Sequence, residues 1–276
     1  MKRLGLISCI LLLSASSFAQ AFFGRAGVGY GFPLSNSRPV YITGFPYTGS
    51  SVSPLDNAMF QVKKASMFSG FTATAALGFM FQKIGFELGV SSVLSGVSYS
   101  FSQSLAVYPP GSETTVTQSA KNPTMLVPAL VMRVPGRKID VLLRAGLALP
   151  IHKKIFIDSK TSTDSNNFYD RSELKTLFGI GLAFSGGAEY KITKSLGAYL
   201  TFDVLVMTVK ARELKLLSAA VNGEDVTATR MPYQKSTIYV DDVSAYTFSS
   251  DQPRQAQSYS LPFGAKGVSM GIFYRL

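Results

Sequence analysis

Residue types suited to catalysis are sparse in this sequence. His152 is the one histidine, and it is followed by Lys153, Lys154 and a mixture of Ser, Asp and Thr that is common in loops. Lipid hydrolases and acyltransferases need a nucleophile beside a base that a third group orients. We identify no nucleophile elbow and no His, Cys and carboxylate spacing that suggests a metal. We therefore expect no enzyme activity, no cofactor and no metal.

A second set of ionisable residues lies inside segments that are otherwise apolar. Its positions alternate with apolar residues, which places the charges together on one face if the segments are strands. Charges enclosed by a protein must pair, because an unpaired buried charge is costly. We favour a structural, salt-bridged plug that fixes closure over an ion or proton path, and expect the members near one end to form one network. The seven residues are Arg25, Glu87, Asp140, Arg144, Glu189, Asp203 and Arg275.

Composition and the first residues indicate an exported chain. Lys2 and Arg3 precede an apolar run over residues 4–13, and small residues follow, which is the pattern of a signal peptide. The run is shorter than the roughly 20 residues that span a bilayer as a helix. We predict a signal peptide over 1–21, cleaved after Ala19 or Ala21, and one domain over 22–276. The one cysteine, Cys9, falls in the signal, so the mature chain would contain no disulfide.

Eight segments of the mature chain show the period-two alternation of β-strands. The mean hydropathy of +0.21 and the charged fraction of 16% fit a chain whose apolar residues are interleaved with small and polar ones. The fourth segment is apolar on both faces and contains Pro128, which we interpret as a local bend. The segments are approximately 22–32, 68–81, 84–91, 124–134, 139–149, 176–190, 196–206 and 268–276.

The connections between these segments alternate in length. Those at 82–83, 135–138 and 191–194 are short, and those near 33–67, 104–122, 151–175 and 209–258 are long. Alternating short and long connections are typical of outer-membrane barrels, with short periplasmic turns and long external loops. We therefore predict an all-β fold, a closed antiparallel up-and-down transmembrane β-barrel of eight strands with four external loops.

The predicted outward face is apolar and carries aromatic residues near its limits, as the two interfaces of a bilayer favour. The formal charge of +11 suits anionic headgroups better than nucleic acid, which an exported chain seldom meets. At the tops of the strands, Lys153, Lys154, Lys210 and Arg212 are candidates for contacts with lipopolysaccharide phosphates, with a solvated charged rim as the alternative.

Several segments resemble the small bacterial outer-membrane β-barrel family, which includes the PorT-like group and the barrels of the OmpX and OmpA type. Met125–Val131 is similar to its strand with a central proline, and Gly186–Lys191 and Gly271–Leu276 are similar to its later strands. The resemblance implies a terminal insertion signal, read by the barrel-assembly machinery, whose last residue is usually aromatic. Here the last residue is Leu276, and the other members of the signal are Val268, Met270, Ile272 and Tyr274.

Three functions stay open at this point. The first is a non-enzymatic structural or surface-interaction barrel, or an accessory to a secretion complex that binds an envelope protein, as the PorT-like resemblance allows. The second is a narrow channel for small or apolar compounds, since many inward positions are Gly, Ala or Thr. The third and least favoured is a lipid-modifying enzyme that uses His152. All three place the chain in the cell outer membrane.

Overall fold

The computed structural model describes residues 20–34, 66, 68–95, 97–105, 112–163, 165–241 and 249–276. The predicted signal peptide lies largely outside these residues, and β1 begins at Gln20. None of the helices in the described ranges is long and apolar enough to span a membrane. The described residues form one helical turn, α1 (Pro232–Lys235), and fifteen strands: β1 (Gln20–Pro33), β2 (Gly70–Phe81), β3 (Ile84–Val93), β4 (Val97–Leu105), β5 (Ser112–Val134), β6 (Ile139–Ser162), β7 (Asn167–Thr176), β8 (Gly181–Lys191), β9 (Leu196–Val206), β10 (Thr208–Val221), β11 (Glu224–Asp225), β12 (Ser236–Val240), β13 (Arg254–Gln257), β14 (Ser260–Pro262) and β15 (Ala265–Arg275).

Eight of the strands form a closed antiparallel barrel. In order around the ring they are β1, β2, β3, β5, β6, β8, β9 and β15, and β15 pairs with β1 to close it. Closure gives every barrel strand two neighbours, so the barrel wall has no free sheet edge. The predicted closed antiparallel β-barrel and its eight strands are confirmed.

The barrel has two distinct ends. Residues 82–83, 135–138 and 192–195 connect neighbouring barrel strands at the end that we call the turn end, where β15 also finishes. The opposite end, which we call the loop end, carries the remaining connections. Alternation along each strand sends one set of side chains into the lumen and the other outward.

The outward face is almost wholly apolar. Leu77 is 73% exposed and Phe202 is 66% exposed, and aromatic rings lie toward both ends of the wall. At the loop end Tyr30 packs edge-to-face against Phe71, with 5.0 Å between ring centroids. At the turn end Phe79 contacts Phe81 in the same manner at 5.2 Å.

The predicted long loops differ from the structure, because three of them consist largely of strands. β5 and β6 have 23 and 24 residues, about twice the 9–11 that cross a bilayer. Beyond the barrel they pair with each other and continue into a sheet ordered β4, β5, β6, β7, β10, β12 and β13, which we call the extended sheet. The first predicted loop, over 33–67, lies mostly outside the described residues.

Backbone irregularities mark the point where β5 leaves the barrel. The register against β6 shifts between Lys121 and Met125, and Asn122 has a φ of 44°. A bulge of this kind bends and twists a strand. Pro128, by contrast, falls where no pairing to β6 is formed, and the register is the same before and after it. The predicted bend at Pro128 is therefore replaced by a bulge closer to the loop end.

Candidate functional site

Charged side chains from several strands meet in the lumen of the barrel. Strand alternation directs Arg25 from β1, Glu87 from β3, Arg144 from β6 and Asp203 from β9 to its middle, and we call these four residues the central ion cluster. Arg25 forms an ion pair with Glu87. Arg144 bridges the two acids, with Nη1 3.4 Å from Glu87 Oε1 and Nη2 3.5 Å from Asp203 Oδ1. Its Nη2 also donates to Ser185 Oγ at 2.6 Å.

A second group of charges, the turn-end ion cluster, consists of Arg133, Asp140, Glu189, Lys191 and Arg275. Arg275 Nη2 donates to Glu189 Oε2 at 2.6 Å and to Asp140 Oδ2 at 3.0 Å. Arg133 Nε lies 3.0 Å from Glu189 Oε2, and Lys191 Nζ lies 2.7 Å from Asp140 Oδ1. The cluster thus connects β5, β6, β8 and β15 across the lumen.

The cluster also stabilises a short turn. The Gly136 N–H donates to Asp140 Oδ1 at 3.0 Å, and Lys191 Nζ donates to the Gly136 carbonyl at 3.0 Å. The connection between β5 and β6 is therefore tied to the same acid that Arg275 contacts.

All seven predicted lumen charges face inward, but their arrangement differs from the prediction. Arg25 and Glu87 contact Arg144 and Asp203, whereas Glu189 and Arg275 belong to the turn-end ion cluster, so direct contacts form two clusters and not one. Two further members, Arg133 and Lys191, were not predicted from the sequence. Arg133 lies two residues after the inward Val131 on the same strand, so strict alternation would have placed it in the lumen as well.

Aromatic rings pack against two of the guanidinium groups in the lumen. The guanidinium of Arg275 lies 4.4 Å from the ring centroid of Phe273, and that of Arg25 lies 5.5 Å from the ring centroid of Tyr199. Both distances are within the range of a cation–π interaction. Gly27 makes room for Tyr199, because a Cβ at this position would overlap the Tyr199 hydroxyl and the Met270 carbonyl oxygen.

The loop-end part of the lumen is filled by apolar side chains, which we call the apolar plug. Phe263 and Leu261 are fully buried although they belong to the connection between β10 and β15, and Phe68 enters from the connection between β1 and β2. They pack against inward residues of barrel strands, including Met125 and Leu205. The fourth predicted segment is apolar on both faces because its outward face lies on the barrel surface, while on its inward face Met125 and Val127 pack with the plug. Further along the same face, Val131 packs with Phe23, Met80 and Leu142.

The remaining predicted residues lie outside the lumen. Met270, Ile272, Tyr274 and Leu276 are exposed on the outward face, and Val268 is half-buried there. Lys154, Lys210 and Arg212 are exposed beyond the loop end of the barrel, and Lys210 Nζ lies 3.3 Å from Asp241 Oδ1. Lys153 and His152 belong to β6.

One serine motif was not identified from the sequence. Gly267-Val268-Ser269-Met270-Gly271 matches the letters of a Gly-x-Ser-x-Gly elbow, so the expectation that none is present was wrong as to the letters. In a hydrolase elbow the serine lies on a sharp turn between a strand and a helix. Ser269 instead lies within β15, opposite Gly29 and Thr201, and is buried in the lumen. Among the described residues, no group of three or more His, Cys, Asp or Glu side chains is placed to hold a metal ion.

No protein-family model matches the sequence, and comparison with curated proteins gives no significant match. The class that the structure defines is therefore an eight-stranded antiparallel β-barrel, and the fold is consistent with a small outer-membrane barrel.

Proposed function

We propose that this chain is a non-enzymatic outer-membrane β-barrel with a closed lumen, exported by its N-terminal signal. The observation that carries the proposal is the inverted polarity of the barrel. Large apolar side chains cover its outside, while Arg25, Glu87, Asp140 and Glu189 are buried within it. A water-soluble barrel would leave such an apolar surface in contact with solvent, whereas hydrocarbon favours it. A closed barrel also satisfies its backbone hydrogen bonds internally, as a bilayer requires.

The proposed orientation has the turn end in the periplasm and the loop end outside. Two features support this orientation. The connections at the turn end are short, as periplasmic turns are, and β15 presents the outward apolar residues that the barrel-assembly machinery would read.

The basic residues at the loop end are proposed to contact lipopolysaccharide phosphates. Lys210 and Arg212 on β10 are exposed, and so are the apolar residues Leu177 and Phe178. The two segments are neighbours, because the Leu177 N–H donates to the Lys210 carbonyl at 2.9 Å. A cationic rim directly above an apolar band matches the order of phosphate and acyl chain in an outer leaflet.

The extended sheet is the part that we propose acts outside the membrane. It gives the barrel a structured surface for an envelope protein, as expected of a structural or surface-interaction protein or of an accessory to a secretion complex in the manner of the PorT-like group. Co-purification from native membranes tests this role. A stable complex that is lost when the β6–β7 hairpin is shortened supports it, whereas recovery of the barrel alone contradicts it.

The closed lumen is tested by recording from the folded protein in planar bilayers. Two ion clusters and the apolar plug fill the lumen in series, so we expect no steady conductance. Heat-modifiable migration on gels and fractionation with the outer membrane are the controls for folding and location. A steady, reproducible conductance would instead favour the narrow channel.

A further inference from the structure

The lumen contains a partly open cavity of about 140 Å³ between the central ion cluster and the apolar plug. Its polar side is formed by Arg25, Glu87, Arg144 and Asp203, joined by the hydroxyl groups of Thr74 and Tyr199. Its apolar side is formed by Phe68, Met125, Val127, Leu205 and Ala265.

The polar side presents hydrogen-bonding atoms that the protein does not use. Arg25 and Glu87 have side chains only 5% and 3% exposed, and both line the cavity. Arg25 Nη1, Arg144 Nε and Glu87 Oε2 have no hydrogen-bond partner within the described part of the chain. Buried polar atoms of this kind are costly unless something pairs with them. The available groups are two donors and one acceptor.

The charge of the central ion cluster restricts what can pair with those atoms. Two guanidinium groups balance two carboxylates, so a cationic or anionic ligand would add an uncompensated charge beside the buried Arg25 and Glu87. A neutral group that both donates and accepts, such as a hydroxyl, avoids this cost. The carboxylate of Asp203, whose side chain is 35% exposed although it faces inward, adds a further acceptor.

The size of the cavity restricts the rest of the ligand. An engineered protein cavity of about 150 Å³ accommodates benzene. One face of the present cavity is lined by Met, Val, Leu and Phe side chains, which suit a ring or a short branched chain. From the two faces together, we infer that the lumen binds a small neutral molecule of the phenol class, with its hydroxyl on the central ion cluster and its ring against the apolar plug. This inference depends on the closed barrel alone and not on what the extended sheet binds.

The probe for this site is 4-fluorophenol, titrated into the folded barrel in detergent and followed by ¹⁹F NMR. We expect saturable binding to the wild-type protein. Ala129 lines the cavity from β5, so Ala129→Leu adds three carbon atoms to it and should weaken binding at least tenfold. The matched control is Ala145→Leu, which adds the same atoms to an exposed position on the outward face of β6 and should bind like the wild type.

The proposed contact between the ligand hydroxyl and the central ion cluster is tested with 4-fluorotoluene, which lacks the hydroxyl. We expect about tenfold weaker binding, because the buried donors and acceptor then lose their partner. Equal binding of the two probes would overturn the role of the ion cluster. Equal binding of 4-fluorophenol by both leucine variants, or no saturable binding by the wild type, would overturn the site itself, and heat-modifiable migration identifies any variant that has not folded.

Discussion

The two parts of the lumen are filled by different kinds of side chain. From the turn end to its middle, charged side chains are held by pairs such as Arg275–Glu189 and Arg144–Glu87, beside a small apolar cluster of Phe23, Met80, Val131 and Leu142. From the cavity to the loop end it is occupied by apolar side chains, of which Phe263 and Leu261 are contributed by a connection between strands and not by the barrel wall. Of the two parts, only the first depends on the exact matching of charged partners.

This difference has a physical origin. Ion pairs are directional and bridge strands that are far apart in the sequence, as Arg275 and Asp140 do, so they specify how the ring closes. Apolar contacts are non-directional and tolerate changes of shape more readily. The turn-end part therefore specifies how the barrel closes, and the plug fills the other end of the lumen.

The largest loss of stability is expected when an acid is removed from the turn-end ion cluster. Glu189 is 1% exposed and contacts both Arg133 and Arg275, so Glu189→Ala leaves two buried guanidinium groups without this partner. Removal of one partner of a buried pair costs about 3–5 kcal/mol. We expect the unfolding midpoint of the folded barrel, followed by heat-modifiable migration, to fall accordingly.

Arg25→Ala should act in the same direction, because it leaves Glu87 with Arg144 alone at 3.4 Å. Glu224→Ala is the control, since this acid is exposed on β11. If both lumen variants unfold at the wild-type midpoint, the ion clusters do not stabilise the barrel.

A smaller loss is expected from the apolar plug. Phe263 is fully buried, and truncation of a buried Phe to Ala costs about 3 kcal/mol or more. We expect Phe263→Ala to lie at the low end, about 3 kcal/mol, because it leaves a cavity but no unpaired charge. Phe178→Ala, at a position 69% exposed, is the matched control and should change the midpoint little in detergent. Equal losses from the two variants would show that the plug does not contribute as a core.

The wall of the barrel could be predicted from the sequence better than its contents. Alternation and the spacing of short turns, such as the one at 82–83, are local properties, so β9 was predicted over the residues that it occupies, 196–206. The inward charges were recognised by the same parity, but their division into two clusters depends on the stagger between strands, which single segments do not encode. The plug was missed because Phe68 was predicted as the first residue of the second strand, and Phe263 lay between the last predicted loop and the last predicted strand. The parts of β5 and β6 that belong to the extended sheet were missed because polar residues on both faces, such as the adjacent Thr114 and Thr115, conceal the alternation.

The smallest effect is expected outside the barrel, at a carboxylate of the extended sheet. Lys175 Nζ donates to Glu213 Oε2 at 3.0 Å, and this hydrogen bond, more than any other cause, holds the pKa of Glu213 below its ordinary value. A lowered pKa in the folded state contributes stability that is present above the pKa of the unfolded chain and is lost as the pH falls through the folded value. For such an exposed pair the contribution is about 0.2–1 kcal/mol.

A second carboxylate of the extended sheet changes stability with pH in the opposite direction, because burial raises the pKa of Asp170 on β7. The wild type must therefore be compared with Glu213→Gln to isolate the contribution of Glu213. We expect hydrogen exchange of β7 and β10, corrected for intrinsic rates, to accelerate on acidification more in the wild type than in Glu213→Gln, with β1 and β9 unchanged as internal controls. The same acceleration in both proteins would show that the pair does not contribute to the stability of the extended sheet.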